Sequence, residues 1–473
     1  MGLSGRQVIY TDQSVITREN VLSVLEKAIE KHRENRCDIQ YLFDYYKGKQ
    51  PILQRQKDYR PEICNRIVEN RANEIVSFKV GYLMGEPVQY VRRSAGNEDL
   101  SEEINRLNDY IFAEDKASKD KELADWFTIC GTSFRMVLPR KDAADDEAPF
   151  RIFTLDPRNT FVVYYSGLGN DPVMGVYYVV LEDNSQVYSV YTKDRYFEIK
   201  DDSTGSFTVT KDETHFCGDI PIVEYPANPS RLGAFEIVLP LLDAINTVSS
   251  NRIDGVEQFI QSLLVLKGVD IDDEDFKSLK ENGGLKIPSD GDAKYLTQEL
   301  NQTQTQTLVD YLDQAVLVIC GMPNRNGGSS TSDTGSAVIM RDGWSDAEAR
   351  AKDTELMFKC SEKRFLRMVL RFTEAFRDLS LRVSAIEIRF TRRNYENIQA
   401  KAQVLTTLLA CDKVHPELSF SHSGLFTDPQ LAYEMSRAYA EEQKAEAKRE
   451  LDEYAVAETK RAQAATGNQD PVA

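Results

Sequence analysis

Apolar residues spaced three and four apart open the chain. Val21, Val24, Leu25, Ala28, Ile29 and His32 share one face of a helix that Thr17 can cap and that runs to about Asn35. A cluster rich in aromatics (Tyr41, Leu42, Phe43, Tyr45, Tyr46) follows, then Gly48. Pro61 suits the first turn of a second helix, where its missing N–H would be unpaired anyway. Ile63, Ile67, Ile75, Phe78 and Tyr82 carry that helix towards a stop at Gly85, Glu86 and Pro87. Asn97 can cap a third helix, with Leu100, Ile104, Leu107 and Ile111 on one side. A fourth spans Asp120 to Cys130 and is closed by Gly131.

From Ser133 to Tyr225 the pattern shortens. β-rich runs at 134–138, 152–155, 161–165, 176–181, 187–191 and 196–199, separated by turn formers, predict an antiparallel sheet packed on the preceding helices. Helix returns over 234–267, bent or interrupted near Pro240. Residues 268–300 read as a compact mixed insert, opened by an acidic run from Asp270 to Asp275 and turned at Gly283 and Gly284. The next helix spans about 303–320, with Leu308, Tyr311, Leu312, Ala315, Val316 and Ile319 as an apolar stripe. At ~1.5 Å per residue it is roughly 27 Å long.

Residues 321–343 are loop-like, and Asn326–Ser332 has the most flexible composition of the chain. Ser345 and Glu348 form a capping box at the head of a long helix reaching about Leu379. Val383 to Arg389 alternates as a strand. The remainder is helical, with breaks near His415–Pro416 and Asp428–Pro429. Its tail from Glu441 is a solvated helix that frays before Gly467. The fold class is α+β, predominantly helical. At 473 residues, two to four structural units are expected.

No apolar run approaches the ~20 residues that span a bilayer. The longest, 235–268, is interrupted by charges such as Asp243, Arg252 and Asp254. The start shows no secretion signal, and its Met-Gly reads as a plain initiator region. Seven dispersed cysteines form no Cys-x-x-Cys pair, so they read as reduced thiols in a cytosolic compartment. A net charge of −18 argues against adhesive nucleic-acid binding. It is equally compatible with a wall that DNA slides past and with solubility alone.

Catalytic signatures are missing: there is no phosphate-binding Gly-x-x-x-x-Gly-Lys loop, no His-Glu-x-x-His pair and no Gly-x-Ser-x-Gly elbow. The four histidines lie far apart, and no catalytic, cofactor or metal residue is assigned. The acidic run reads as a solvated cap on a helix starting near Glu274, because adjacent carboxylates on one short segment diverge. Lys359, Lys363, Arg364, Arg367, Arg371, Arg377, Arg382, Arg389, Arg392 and Arg393 interleave with Phe358, Phe365, Phe372 and Phe376. They suit solvated charges and inter-subunit salt bridges beside an apolar face, or else a nucleic-acid face. The Gly/Ser loop reads best as a mobile segment facing a ligand or a lumen.

Three stretches carry a family resemblance. Residues 65–87 (NRIVENRANEIVSFKVGYLMGEP), residues 228–246, beginning NPSRLGAFE, and residues 320–323 (CGMP) stand in this order around a helix–insert–helix–loop–helix succession. Together they resemble the portal proteins of tailed double-stranded-DNA phages, in the branch found in siphophages of Gram-positive bacteria. The resemblance implies a homo-oligomeric ring, usually dodecameric, at one capsid vertex. It serves genome packaging and ejection as the head–tail connector, and is assembled in the host cytoplasm.

The family's layout would make 1–233 most of the wing, 234–267 and 301–320 the stem, and 268–300 the clip. It would make 321–343 the tunnel loop, 344–393 the remaining wing and 394–473 the crown with its C-terminal tail. The implied clip contacts to terminase and head-completion (adaptor) proteins fall on Asp272, Asp273, Asp275, Lys277 and Lys280. The implied channel residues are Asn324, Arg325, Asn326, Gly327, Gly328, Ser329, Ser330, Thr331 and Ser332, and the stem-packing residues are Leu308, Leu312, Ala315 and Ile319. Double-stranded DNA would pass without sequence specificity, capsid and scaffold proteins would be neighbours, and no cofactor or membrane is implied. Two other readings stand beside this one: a DNA-processing enzyme, motivated by the cationic helix and acidic run, and another virion component from capsid or tail.

Overall fold

The computed structural model describes residues 5–58, 60–93, 100–144, 147–201, 206–260, 263–267, 292–296, 302–324, 343–392, 398–426 and 429–466. Helices α1 (Val21–Tyr46), α2 (Arg71–Leu83), α3 (Ser101–Ala113) and α4 (Lys116–Cys130) come first. α1 is one rod of 26 residues, because Ile39, Leu42 and Tyr45 prolong the buried face begun at Val21. The aromatic-rich cluster expected beyond the helix is therefore part of it. Thr17 is not its cap: its carbonyl accepts the Val21 N–H at 3.0 Å in a preceding turn. α3 buries Ile104, Leu107 and Ile111 of its expected face, α4 starts four residues before the expected Asp120, and Gly131 closes it at φ +84°. Asn97 lies outside the described residues.

The expected single sheet is two. One has six strands in the order β1-β5-β6-β7-β8-β9, with β1 at Ile9–Thr11, β5 at Thr160–Tyr165 and β6 at Pro172–Val180; β7 is Gln186–Tyr191, β8 Arg195–Asp201 and β9 Phe207–Thr214. The other is β10-β3-β4, formed by Ile222–Pro226, Thr132–Pro139 and Phe150–Leu155. β1 runs parallel to β5, with Ile9 opposite Val163. A parallel partner needs no hairpin, so it leaves no local turn signal. α1 lays its apolar face on the six-stranded sheet, where Val24, Leu25, Ala28 and Ile29 join Phe161, Val176, Val190 and Phe197.

His32 is buried in that layer, its Nε2 3.1 Å from the Arg158 carbonyl oxygen. Burial lowers its pKa from 6.5 to about 4; the carbonyl contact opposes the shift and Arg36 adds to it. The unfolded chain takes up this proton below pH 6.5, whereas the folded chain refuses it until about pH 4. Stability therefore falls as pH drops through that window, by up to about 3 kcal/mol. Urea melts across this range are expected to show the decline, and His32→Leu is expected to flatten it.

In the second half, a 3-10 turn at Glu236–Val238 feeds α5 (Leu239–Ile260). Pro240 starts this helix rather than bending it, since a first-turn N–H would have no helical partner. α5 stops at Ile260, and 263–267, expected as helix, is strand β11, antiparallel to β12 (Asp292–Leu296). α6 (Gln302–Cys320) and α7 (Trp344–Arg377) follow. The expected capping box is not formed: no side chain caps α7, and Glu348 accepts instead from the Tyr82 hydroxyl and from Arg392. A 3-10 turn at Val383–Ala385 precedes β13 (Ile386–Arg389), which pairs antiparallel with β2 (Gln89–Arg92). α8 (Ile398–Leu409), α9 (Pro416–Ser423) and α10 (Pro429–Thr466) close the chain, and residues 435–453 of α10 are exposed.

The helix expected from Pro61 starts late: residues 64–70 form no regular element, and α2, which carries the expected Ile75, Phe78 and Tyr82, begins only at Arg71. Their amides are claimed by side chains of α5, one per turn: Asn65 N–H goes to Asp254 (2.8 Å), Ile67 N–H to Ser250 (2.9 Å) and Glu69 N–H to Asn246 (2.9 Å). Amides two residues apart thus meet positions 254, 250 and 246, which share one helix face at i, i+4, i+8 spacing.

Candidate ring interface and channel elements

α5 and α6 pack together and are joined through the β11–β12 pair. α6 carries two apolar faces. Val309, Leu312, Val316 and Cys320 are buried within the chain, in contact with the rest of the fold. Leu308, Tyr311, Val318 and Ile319 form an adjacent stripe that is 46%, 67%, 67% and 39% exposed. The four residues expected to pack the stem therefore divide. Leu312 belongs to the chain's own core, Ala315 is half-buried, and Leu308 and Ile319 face outward. α5 changes character along one face: Leu242 and Ile245 are buried, while Ile253 and Val256, two to three turns on, are exposed.

Both rods are tied to the rest of the chain by polar contacts. Asp254 accepts from Asn65 and pairs with Arg55 (3.0 Å) and Lys57 (2.9 Å). Burial alone would raise its pKa, and these partners hold it below the usual range. Asp254→Ala is expected to cost about 2–3 kcal/mol, since amides and cations lose their acceptor together. Hydrogen exchange checks this: Asn65, Ile67 and Glu69 amides should lose protection while the six-stranded sheet keeps it. Glu236, at the start of α5, holds Arg6 (2.6 Å) and the Gly233 N–H (2.9 Å). At the far end of α6, Lys79 of α2 donates to the Cys320 carbonyl and Arg350 of α7 to the Ile319 carbonyl, both at 2.8 Å. Two cations thus cap the helix C-terminus. Gly321 then turns the chain at φ +62°, where an added Cβ would strike Arg350.

The body is pinned by charges that sequence reading missed. Glu362 of α7 is fully buried and accepts from the Tyr225 hydroxyl (2.6 Å), Arg135 (3.2 Å), Lys116 (3.0 Å) and the Tyr90 hydroxyl. Asp120 completes the cluster, 2.7 Å from Lys116 and paired with Arg135. Arg135 stacks 5.2 Å from the rings of Tyr225 and Phe365. Two cations and two anions balance, which makes their burial tolerable. The signal was an arginine inside an unbroken buried strand, flanked by Phe134 and Met136. A second buried carboxylate, Glu224, is held by Arg231 at 2.7 and 3.0 Å, by the Tyr164 hydroxyl and by Thr132.

Of the cations singled out along the sequence, several pair within the chain. Lys359 meets Glu355, and Arg392 meets Glu348 and Glu355. Asn324 ends a described segment, and Arg325 through Ser332 lie outside the described residues, as do Asp272, Asp273, Asp275, Lys277, Lys280 and Arg393. Among the described residues, no group of three or more His, Cys, Asp or Glu is placed to hold a metal ion. No described helix is long and apolar enough to cross a membrane.

The described elements form a helix-rich body, two rods joined by a small two-stranded unit, and a long helix that packs back on the body. The family described as phage portal protein, SPP1 Gp6-like, matches residues 25–453, and the chain belongs to it. It is 22% identical over 320 residues to the portal protein of Bacillus phage SPP1, across 61% of this chain and 61% of that relative's length. Two solved structures resemble it at 11% identity. One is the neck of an empty GTA particle computed with C6 symmetry, at a TM-score of 0.45 over 76% of this chain and 91% of that one. The other is the virion of a native gene transfer agent particle, at 0.44 over 83% and 94%.

Proposed function

We propose that copies of this chain close into the portal ring of a tailed phage, usually a dodecamer, at one capsid vertex, through which double-stranded DNA is packaged and ejected. The observation that carries this reading is the outward apolar stripe Leu308, Tyr311, Val318 and Ile319 on α6, with Ile253 and Val256 likewise exposed on α5. Rods that leave such surface in water are completed by neighbours, at about 25 cal/mol per Å² of apolar area covered. Ring closure uses two different faces of each copy, which suits a helix with apolar residues on more than one side.

In this reading α5 and α6 are the stem, residues 268–300 the clip, residues 321–343 the tunnel loop at the channel wall, and α8 to α10 the crown. The clip meets terminase during packaging and head-completion proteins afterwards. Capsid and scaffold proteins surround the wing, and assembly takes place in the host cytoplasm. The chain acts as a structural ring without turnover of its own. Copy number separates it from a shell or tail component: quantitative mass spectrometry of virions is expected to give one ring's worth, about a dozen per particle. Hundreds of copies would make it a shell protein.

A further inference from the structure

α7 buries Phe365, Leu366, Val369 and Phe372 and exposes Lys363, Arg367 and Arg371 on one face, with Arg364 half-buried at its edge. Among the described residues none of these four cations has an acidic partner within 4.0 Å, although the chain carries a net charge of −18. Arg364–Arg367, Lys363–Arg367 and Arg367–Arg371 are like-charge pairs three or four apart, an arrangement that weakens a helix unless anions arrive from outside. Arg371 is held in place, its guanidinium 5.1 Å over the Phe216 ring and packed against Gly218. Elsewhere the imbalance is opposite. Glu69, Glu74 and Asp313 all crowd Arg71, at 3.5, 2.9 and 3.2 Å, and exposed Asp310 lies one turn before Asp313 on α6. Burial raises the Asp313 pKa, and Glu69, Glu74 and Asp310 add to the rise against Arg71.

We propose that the cationic face of α7 docks on the carboxylates Glu74, Asp310 and Asp313 of the next copy of this chain, supplying the polar half of the ring contact. This rests on the ring reading above. Excess cations on one face and excess anions on another, on different elements of the same chain, are what a head-to-tail contact needs. Nucleic acid fits less well, because Asp353, Glu374 and Asp378 flank the arginines on the same exposed face and interrupt any phosphate track.

The test uses the full chain and surface substitutions that spare the core. Lys363→Glu with Arg367→Glu, and separately Glu74→Lys with Asp310→Lys, are each expected to raise the concentration for half-assembly, read by native mass spectrometry, by about tenfold or more. All four together should recover to within about threefold of the parent, with the monomer folded by circular dichroism throughout. Normal assembly of the cationic-face variant would overturn the proposal, and loss of duplex-DNA binding by that variant would assign the face to nucleic acid. A four-fold variant no better than its parents would overturn the pairing. A parent chain that never forms rings would overturn both this and the function proposed above.

Discussion

Glu362→Gln is expected to lower folding stability by about 3–5 kcal/mol, measured by denaturant melts of the purified chain. Glu362 is fully buried and is the common acceptor for Lys116, Arg135 and two tyrosine hydroxyls. Glutamine keeps the shape but removes the charge, so two buried cations are left with Asp120 alone. Its amide N–H₂ must also face a cation that can only donate. Tyr90→Phe is a milder control, costing about 1–2 kcal/mol, because it removes one hydroxyl and no charge. Burial alone would raise the Glu362 pKa, but Lys116, Arg135 and both hydroxyls outweigh it and hold it below the ordinary carboxylate range. The stability it contributes is therefore complete above the carboxylate range and is lost as pH falls through the depressed folded value. Acid melts of the parent should steepen there, and those of the Gln variant should not.

Tyr311→Asp and Val318→Asp are expected to abolish ring assembly while leaving the monomer folded. Both side chains are 67% exposed in the single chain, so a carboxylate there is solvated until a neighbour covers it. Covering it unpaired costs roughly 3 kcal/mol per interface, a loss above a hundredfold per contact, repeated around the ring. Leu312→Asp acts differently. Leu312 is 7% exposed and packs in the chain's own core, so its replacement is expected to unfold the junction of α6 and the body and with it any ring. Circular dichroism melts beside light scattering distinguish the two outcomes.

Much of this architecture was legible because it is local. The buried face of α1, the six β-rich runs and the α6 rod follow from spacing alone, and their order carried the family resemblance. What escaped was satisfied at a distance. The segment before Arg71 has helical composition, yet its amides are taken by α5 side chains 177 to 189 residues away. The Ser345–Glu348 box failed because Glu348 meets Arg392 and Tyr82, stronger partners than one backbone N–H. β1 pairs in parallel with a strand over 150 residues later. The cluster of Lys116, Asp120, Arg135 and Glu362 escaped, because only the tertiary fold brings α4, β3 and α7 to one point. The apolar stripe of α6 was visible, but not its division between the chain's own core and a neighbour.

Cryo-electron microscopy of the purified full-length chain tests the central claim most directly. The account predicts annular particles in which α5 and α6 of every copy surround an open axis and Tyr311 and Val318 are covered by the adjacent copy. A monomer at all concentrations, with that stripe still in water, would contradict it.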